Sequence, residues 1–95
     1  MKRFDHESIK TQVVSDFGMT SELYIETGNP SIDKEIDYPL FKVYANEENE
    51  IKYVELSTNG KLIQIPMSAL KSFIEFSETE VHSEAWYNKN VFNEQ

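Results

Sequence analysis

Residues 41–76 read FKVYANEENEIKYVELSTNGKLIQIPMSALKSFIEF, and this stretch decides the fold. Asn59-Gly60 lies near its middle. Such a pair favours a tight hairpin turn, because both residues must tolerate positive φ. A loop of that kind fixes register: Thr58 faces Lys61, Leu56 faces Ile63 and Val54 faces Ile65. Side chains alternate across a sheet, so Val54, Leu56, Ile63 and Ile65 share one face, opposite Glu55, Ser57, Leu62 and Gln64. An apolar face backed by a mostly polar one is the pattern of a half-buried antiparallel sheet.

The same test extends one strand earlier. With Glu47-Glu48-Asn49-Glu50 as a turn, Val43 faces Val54 and Phe41 faces Leu56 on the apolar side, while Lys42 faces Glu55 and Tyr44 faces Tyr53 on the wet side. A slip of one residue would put Phe41 and Val43 in water. After Pro66, which has no N–H for a ladder, the apolar residues Met67, Ala69, Leu70, Phe73, Ile74 and Phe76 fall on one half of a helix, predicted over residues 67–76. Laid over the sheet, that helix would contribute roughly 1.5–3 kcal/mol for each of Leu70, Phe73 and Ile74 it buries.

Outside the stretch, a helix is predicted over residues 5–17, with Asp5 as N-cap, Ile9, Val13 and Phe17 at four-residue steps, and Gly18 as the stop. Alternation over residues 19–27 predicts a strand at one edge of the sheet. A polar segment from Gly28 to Pro39 reads as a long irregular loop. Ser77-Glu78-Thr79-Glu80 fits a capping box and predicts a last helix over residues 78–88, with residues 89–95 frayed. The fold class is therefore α+β, one domain over residues 1–95. About four antiparallel strands carry helices on their apolar side.

Composition narrows function more than it defines it. The 95 residues include 17 acidic and 9 basic side chains, for a net charge of −8, and no cysteine. Disulfides, thiolate zinc sites and cysteine nucleophiles are excluded. No apolar run is long enough to span a membrane, and Met1-Lys2-Arg3-Phe4-Asp5 lacks the apolar core of a signal peptide, so a cytoplasmic location is expected. Direct binding to nucleic acid is disfavoured, because phosphate backbones call for clustered Lys and Arg. The meander-then-helix order nevertheless resembles small single-strand nucleic-acid binders. In that alternative Tyr44 and Tyr53 would be the stacking platform. A homodimeric structural or assembly protein joined through a strand edge is a further alternative.

No catalytic pattern emerges. Asp33, Glu35 and Asp37 have the alternate spacing of a calcium loop, but Tyr38 and Tyr44 stand where Gly and Glu are required. The histidines, His6 and His82, lie far apart in the chain, and no phosphate loop or nucleophile elbow is present. No cofactor or metal is implied, and a non-enzymatic protein is expected.

The acidic residues group as Asp33, Glu35 and Asp37 before the meander, Glu47, Glu48 and Glu50 in its first turn, and Glu78, Glu80 and Glu84 in the tail beside Trp86 and Tyr87. Residues 75–95 hold five Glu against Lys89 alone, a net −4. Carboxylates spread over a small rigid body can imitate nucleic-acid phosphates, and large aromatics anchor protein interfaces. The expected function is inhibition of another protein with a basic surface, such as a nuclease. That class covers immunity, anti-defence and DNA-mimic proteins. Those eleven grouped residues form the expected partner-binding set.

Overall fold

The computed structural model describes residues 1–15 and 18–91. Five antiparallel strands form one meandering sheet in chain order: β1 (Ile9–Ser15), β2 (Met19–Ile25), β3 (Phe41–Ala45), β4 (Lys52–Thr58) and β5 (Lys61–Pro66). A single 3-10 turn, His6–Ser8, precedes β1. The β2–β3 connection holds a short helix, α1 (Pro30–Asp33), and β5 leads directly into α2 (Met67–Glu80), followed by α3 (Glu84–Asn90). The class is α+β, with five strands where about four were expected.

The central register follows from the turns. Thr58 pairs with Lys61, Leu56 with Ile63 and Val54 with Ile65, while Phe41 pairs with Leu56 and Val43 with Val54. Asn59 and Gly60 both have positive φ, 50° and 75°, which is the backbone a primed hairpin turn demands. In the β3–β4 turn the Asn46 side chain accepts hydrogen bonds from the Glu48 and Asn49 N–H groups at 2.9 and 3.3 Å. The Asn49 side chain accepts one from the Ile51 N–H.

The N-terminal segment is a strand, not the helix expected over residues 5–17; Asp16 and Phe17 lie outside the described residues. A four-residue step is two strand repeats as well as about one helical turn, so Ile9 and Val13 share a face in either structure. The β-branched content of Ile9, Thr11, Val13 and Val14 favours the strand. Gly18, at φ 85°, lies between two strands and does not stop a helix. Because β1 occupies the outer position, β2 is an interior strand and not an edge. It pairs Ile9 with Ile25 on one side and Leu23 with Phe41 on the other. The edges of the sheet are β1 and β5.

The helices depart further from expectation. Helix α2 continues through the proposed capping box to Glu80, four residues past Phe76. Ser77 Oγ donates to the Phe73 carbonyl at 2.8 Å and Thr79 Oγ1 to that of Phe76, the back-bonding of hydroxyls inside a helix. The break comes at residues 81–83, and Ser83 is the true cap, accepting from the Trp86 N–H at 3.1 Å. The last helix is accordingly Glu84–Asn90, so residues 89 and 90 are helical where fraying was expected; residues 92–95 lie outside the described residues.

Helix α2 lies against β4 and β5, yet apart from the half-buried Leu70 and Ser77 its residues are exposed. Met67 and Leu70 share an apolar groove with Leu23, Phe41, Val43 and Val54. Leu70 is half-buried, but Phe73 is 64% and Ile74 49% exposed, so the burial expected of these two does not occur within the chain. Among the described residues Val54 is the only buried apolar side chain, at 4% exposure, in the strand between β3 and β5. Val54→Ala should therefore lower the unfolding free energy by about 1–3 kcal/mol. Leu62→Ala, at a position 70% exposed, should change it by less than about 0.5 kcal/mol. Urea titration followed by far-ultraviolet circular dichroism compares the two, and equal losses would contradict this placement of the core.

Candidate functional site

Antiparallel topology decides which of the acidic groups can meet. Strand β3 separates the 26–40 connection from the 46–51 turn, so Asp33, Glu35 and Asp37 lie at one end of the sheet and Glu47, Glu48 and Glu50 at the other. Five strand residues span about 16 Å. These two groups do not form one surface.

The first group is also partly used inside the fold. Asp33 accepts from the Thr27 N–H at 3.0 Å and from Thr27 Oγ1 at 2.7 Å. These bonds, the side-chain one foremost, hold its carboxyl below the usual aspartate range. Glu35 accepts from Lys2 Nζ at 2.8 Å, and that bond together with the lysine charge lowers its carboxyl as well. The Thr27–Asp33 bonds tie the β2–β3 connection to the end of α1, whose N-terminus is capped by Asn29 accepting from the Ser31 N–H. Asp37 is exposed beside Tyr38.

The second group has a different local cause. Glu47, Glu48 and Glu50 are exposed because Asn46 and Asn49 make the turn around them. Glu50 itself adopts φ 60°, a left-handed conformation uncommon for a non-glycine residue. None of the three forms an ion pair among the described residues.

In the tail group the structure gathers the aromatic rings. The His82 and Trp86 rings stack at 3.7 Å between centroids, and Trp86 meets Tyr87 edge-on at 5.1 Å. The Ser83 cap fixes the start of α3, and with it the Trp86 backbone. Glu78 and Glu80 end α2 and Glu84 begins α3, so three carboxylates flank the aromatic cluster in sequence. All three are exposed and form no ion pair among the described residues; Glu80 accepts a long hydrogen bond, 3.5 Å, from Thr79 Oγ1. Val81 beside them is 69% exposed, and no strand packs extensively against α3. His82 was not singled out from the sequence. Its i, i+4 relation to Trp86 was the available signal.

The polar face of the sheet holds a separate arrangement. Gln12, Glu22, Lys42, Glu55 and Gln64 stand at one level across all five strands. Gln12 donates to Glu22 at 2.7 Å and to the Tyr38 hydroxyl at 3.0 Å; Gln64 donates to Glu55 at 3.0 Å. Lys42 lies 3.6 Å from Glu22, both side chains largely buried, and 5.1 Å from the centre of the Tyr44 ring. Tyr44 and Tyr53 do face each other across β3 and β4. The row is a cross-strand ladder in which each charge has a neighbour of complementary chemistry.

Among the described residues, no three His, Asp or Glu side chains gather to hold a metal ion, and no helix is long and apolar enough to cross a membrane. Comparison with family models, curated proteins and solved structures finds no match for this chain.

Two outcomes follow from these contacts. Ser83→Ala should cost about 1 kcal/mol of helix stability at α3. It should loosen the His82–Trp86 stack, read directly in the fluorescence of the single tryptophan. Unchanged emission would show that the cap does not set the cluster. For Asp33, a carboxyl depressed in the folded state contributes stability that is fully present above the usual aspartate range and is lost as pH falls through its lower folded value. Carboxyl carbon NMR should show Asp33 titrating below the usual aspartate range, and Thr27→Ala should raise it toward that range.

Proposed function

We propose that the protein acts by binding another protein, with the α2–α3 tail as its contact element and a basic surface as its target. The observation that carries this reading is the tail itself. Exposed carboxylates of Glu78, Glu80 and Glu84 lie on α2 and α3. On the same segment, which has little other packing, His82 stacks on Trp86 and Tyr87 meets Trp86 edge-on. Aromatic anchors supply contact area at low conformational cost, while surrounding charges set the speed and salt dependence of encounter. Inhibition is the functional outcome proposed: a carboxylate surface occupying the phosphate-binding site of a nuclease or other nucleic-acid-binding protein would block it. Glu47, Glu48 and Glu50 offer a second acidic contact at the far turn, whereas Asp33 and Glu35 serve the fold first.

Direct binding of single-stranded nucleic acid through Tyr44 and Tyr53 has weaker support. Lys42, 5.1 Å from the Tyr44 ring, is engaged with Glu22, and Glu55 sits opposite it in the ladder.

Affinity capture at about 50 mM salt, within the range where surface charges act over roughly 15 Å, tests the proposal. The full chain should retain a target with a basic surface and release it at about 500 mM salt. The triple variant Glu78→Gln, Glu80→Gln and Glu84→Gln should lose that target, and Trp86→Ala should weaken it at least about tenfold. Retention of the same proteins by all three chains, or of none by the unsubstituted chain, would refute the reading.

A further inference from the structure

A sheet face and a helix stripe, both apolar, are left open on the same chain. The groove formed by Leu23, Phe41, Val43, Val54, Met67 and Leu70 has a volume of about 290 Å³. It adjoins a second hollow of about 300 Å³ that includes Val13, Met19 and Ala45. Glu22 borders the first groove, but its carboxylate is turned to Lys42 on the opposite face. Farther along α2, Phe73 and Phe76 are each 64% exposed, with Ile74 at 49%.

Surface area indicates how much is missing. The chain exposes 7965 Å². A compact monomer of 11.1 kDa exposes about 5,700 Å², which leaves an excess of about 2,300 Å². A standard interface buries about 800 Å² per partner, and obligate homodimers bury more. The radius of gyration points the same way, at 17.8 Å against about 12 Å for a compact chain of this length. The molecule measures 60 × 39 × 25 Å.

We infer that a second copy of this chain covers the open face, each protomer laying the Phe73–Phe76 stripe of α2 into the groove over β2 and β3 of the other. A twofold axis makes such contacts reciprocal, so one chain supplying both a groove and a stripe needs no other partner. The contact joins apolar side chains, and the carboxylates nearest it, Glu75, Glu78 and Glu80 on α2, carry the same sign in both protomers, so salt screens only repulsion between them. Raising salt therefore does not dissociate the pair. The assembly is independent of the tail reading: the triple glutamine variant keeps the dimer mass whatever it does to target capture.

Sedimentation velocity on the full chain, together with cross-linking from p-benzoylphenylalanine placed at position 76, tests the inference. The expected particle is twice 11.1 kDa at micromolar concentration. Phe73→Asp with Phe76→Asp should raise its dissociation constant at least about tenfold. Both side chains are exposed in the single chain, so a protein that works as a monomer should tolerate the pair. The photo-cross-link should join two chains and map to residues 21–43. A monomer at about 100 µM, far above the dissociation constant of a well-packed interface of this size, overturns the inference and leaves the face to a different protein. So does a dimer indifferent to the double variant, or one whose cross-links fall within a chain or along β1 or β5. If the double variant fails to fold, the cross-link in the otherwise unsubstituted chain decides.

Discussion

An antiparallel sheet with one apolar face must be covered, and the width of the cover is what this molecule lacks. Five strands at about 4.8 Å spacing are about 19 Å across, whereas a helix with its side chains is about 10 Å wide. One helix can serve about two strands, and α2 lies against two, β4 and β5. The consequence is seen in the burial pattern. Val54 on β4 is buried and β3 is half-buried, whereas Ile63 on the edge strand β5 is 40% exposed and Val13 on β1 and Met19 on β2 are more than 60% exposed. The departure of α2 from the sheet, the exposure of its second half and the elongated outline share this cause.

The meander was legible because two independent turns had to agree. Asn59-Gly60 gives one register and the 47–50 turn another, and both place Val54 on the face shared with Phe41, Val43, Leu56, Ile63 and Ile65. No such cross-check existed for β1. Ile9 and Val13 satisfy both periodicities, and the residue that breaks the tie, Val14, points to the polar face, where the buried Thr20 across from it donates to the Val14 carbonyl. Ser77-Glu78-Thr79-Glu80 misled for a related reason. A hydroxyl that caps a new helix can equally bond back to the fourth preceding carbonyl of an existing one, and only tertiary structure tells which.

The expected partner-binding residues divide along the same line. Local sequence identified the acidic groups but not which carboxylates the fold consumes. Thr27 and Asp33 are six residues apart and meet because a short helix turns the chain between them. Lys2 reaches Glu35 across 33 positions. Neither pairing has a sequence signature. The tail is different: Glu78, Glu80, Glu84, Trp86 and Tyr87 lie within ten residues, so their gathering needs only a cap and two helical turns. Proximity in sequence suffices there to put the residues on adjoining helices, and it gives no such guidance where strands intervene.

The charge distribution bears on whether two such chains could pair at all. At −8 each, two copies repel. That repulsion acts only within about a Debye length, roughly 8 Å at physiological salt. The polar face handles its own charge locally, with Lys42 set between Glu22 and Glu55 in the ladder. Among the described residues, the other carboxylates sit at the sheet ends, in the turns and along α2 and α3. Apolar attraction would therefore operate over the face while repulsion stays peripheral. Segregation of this kind would leave one small acidic chain with an apolar patch that can pair and a charged periphery that opposes other contacts.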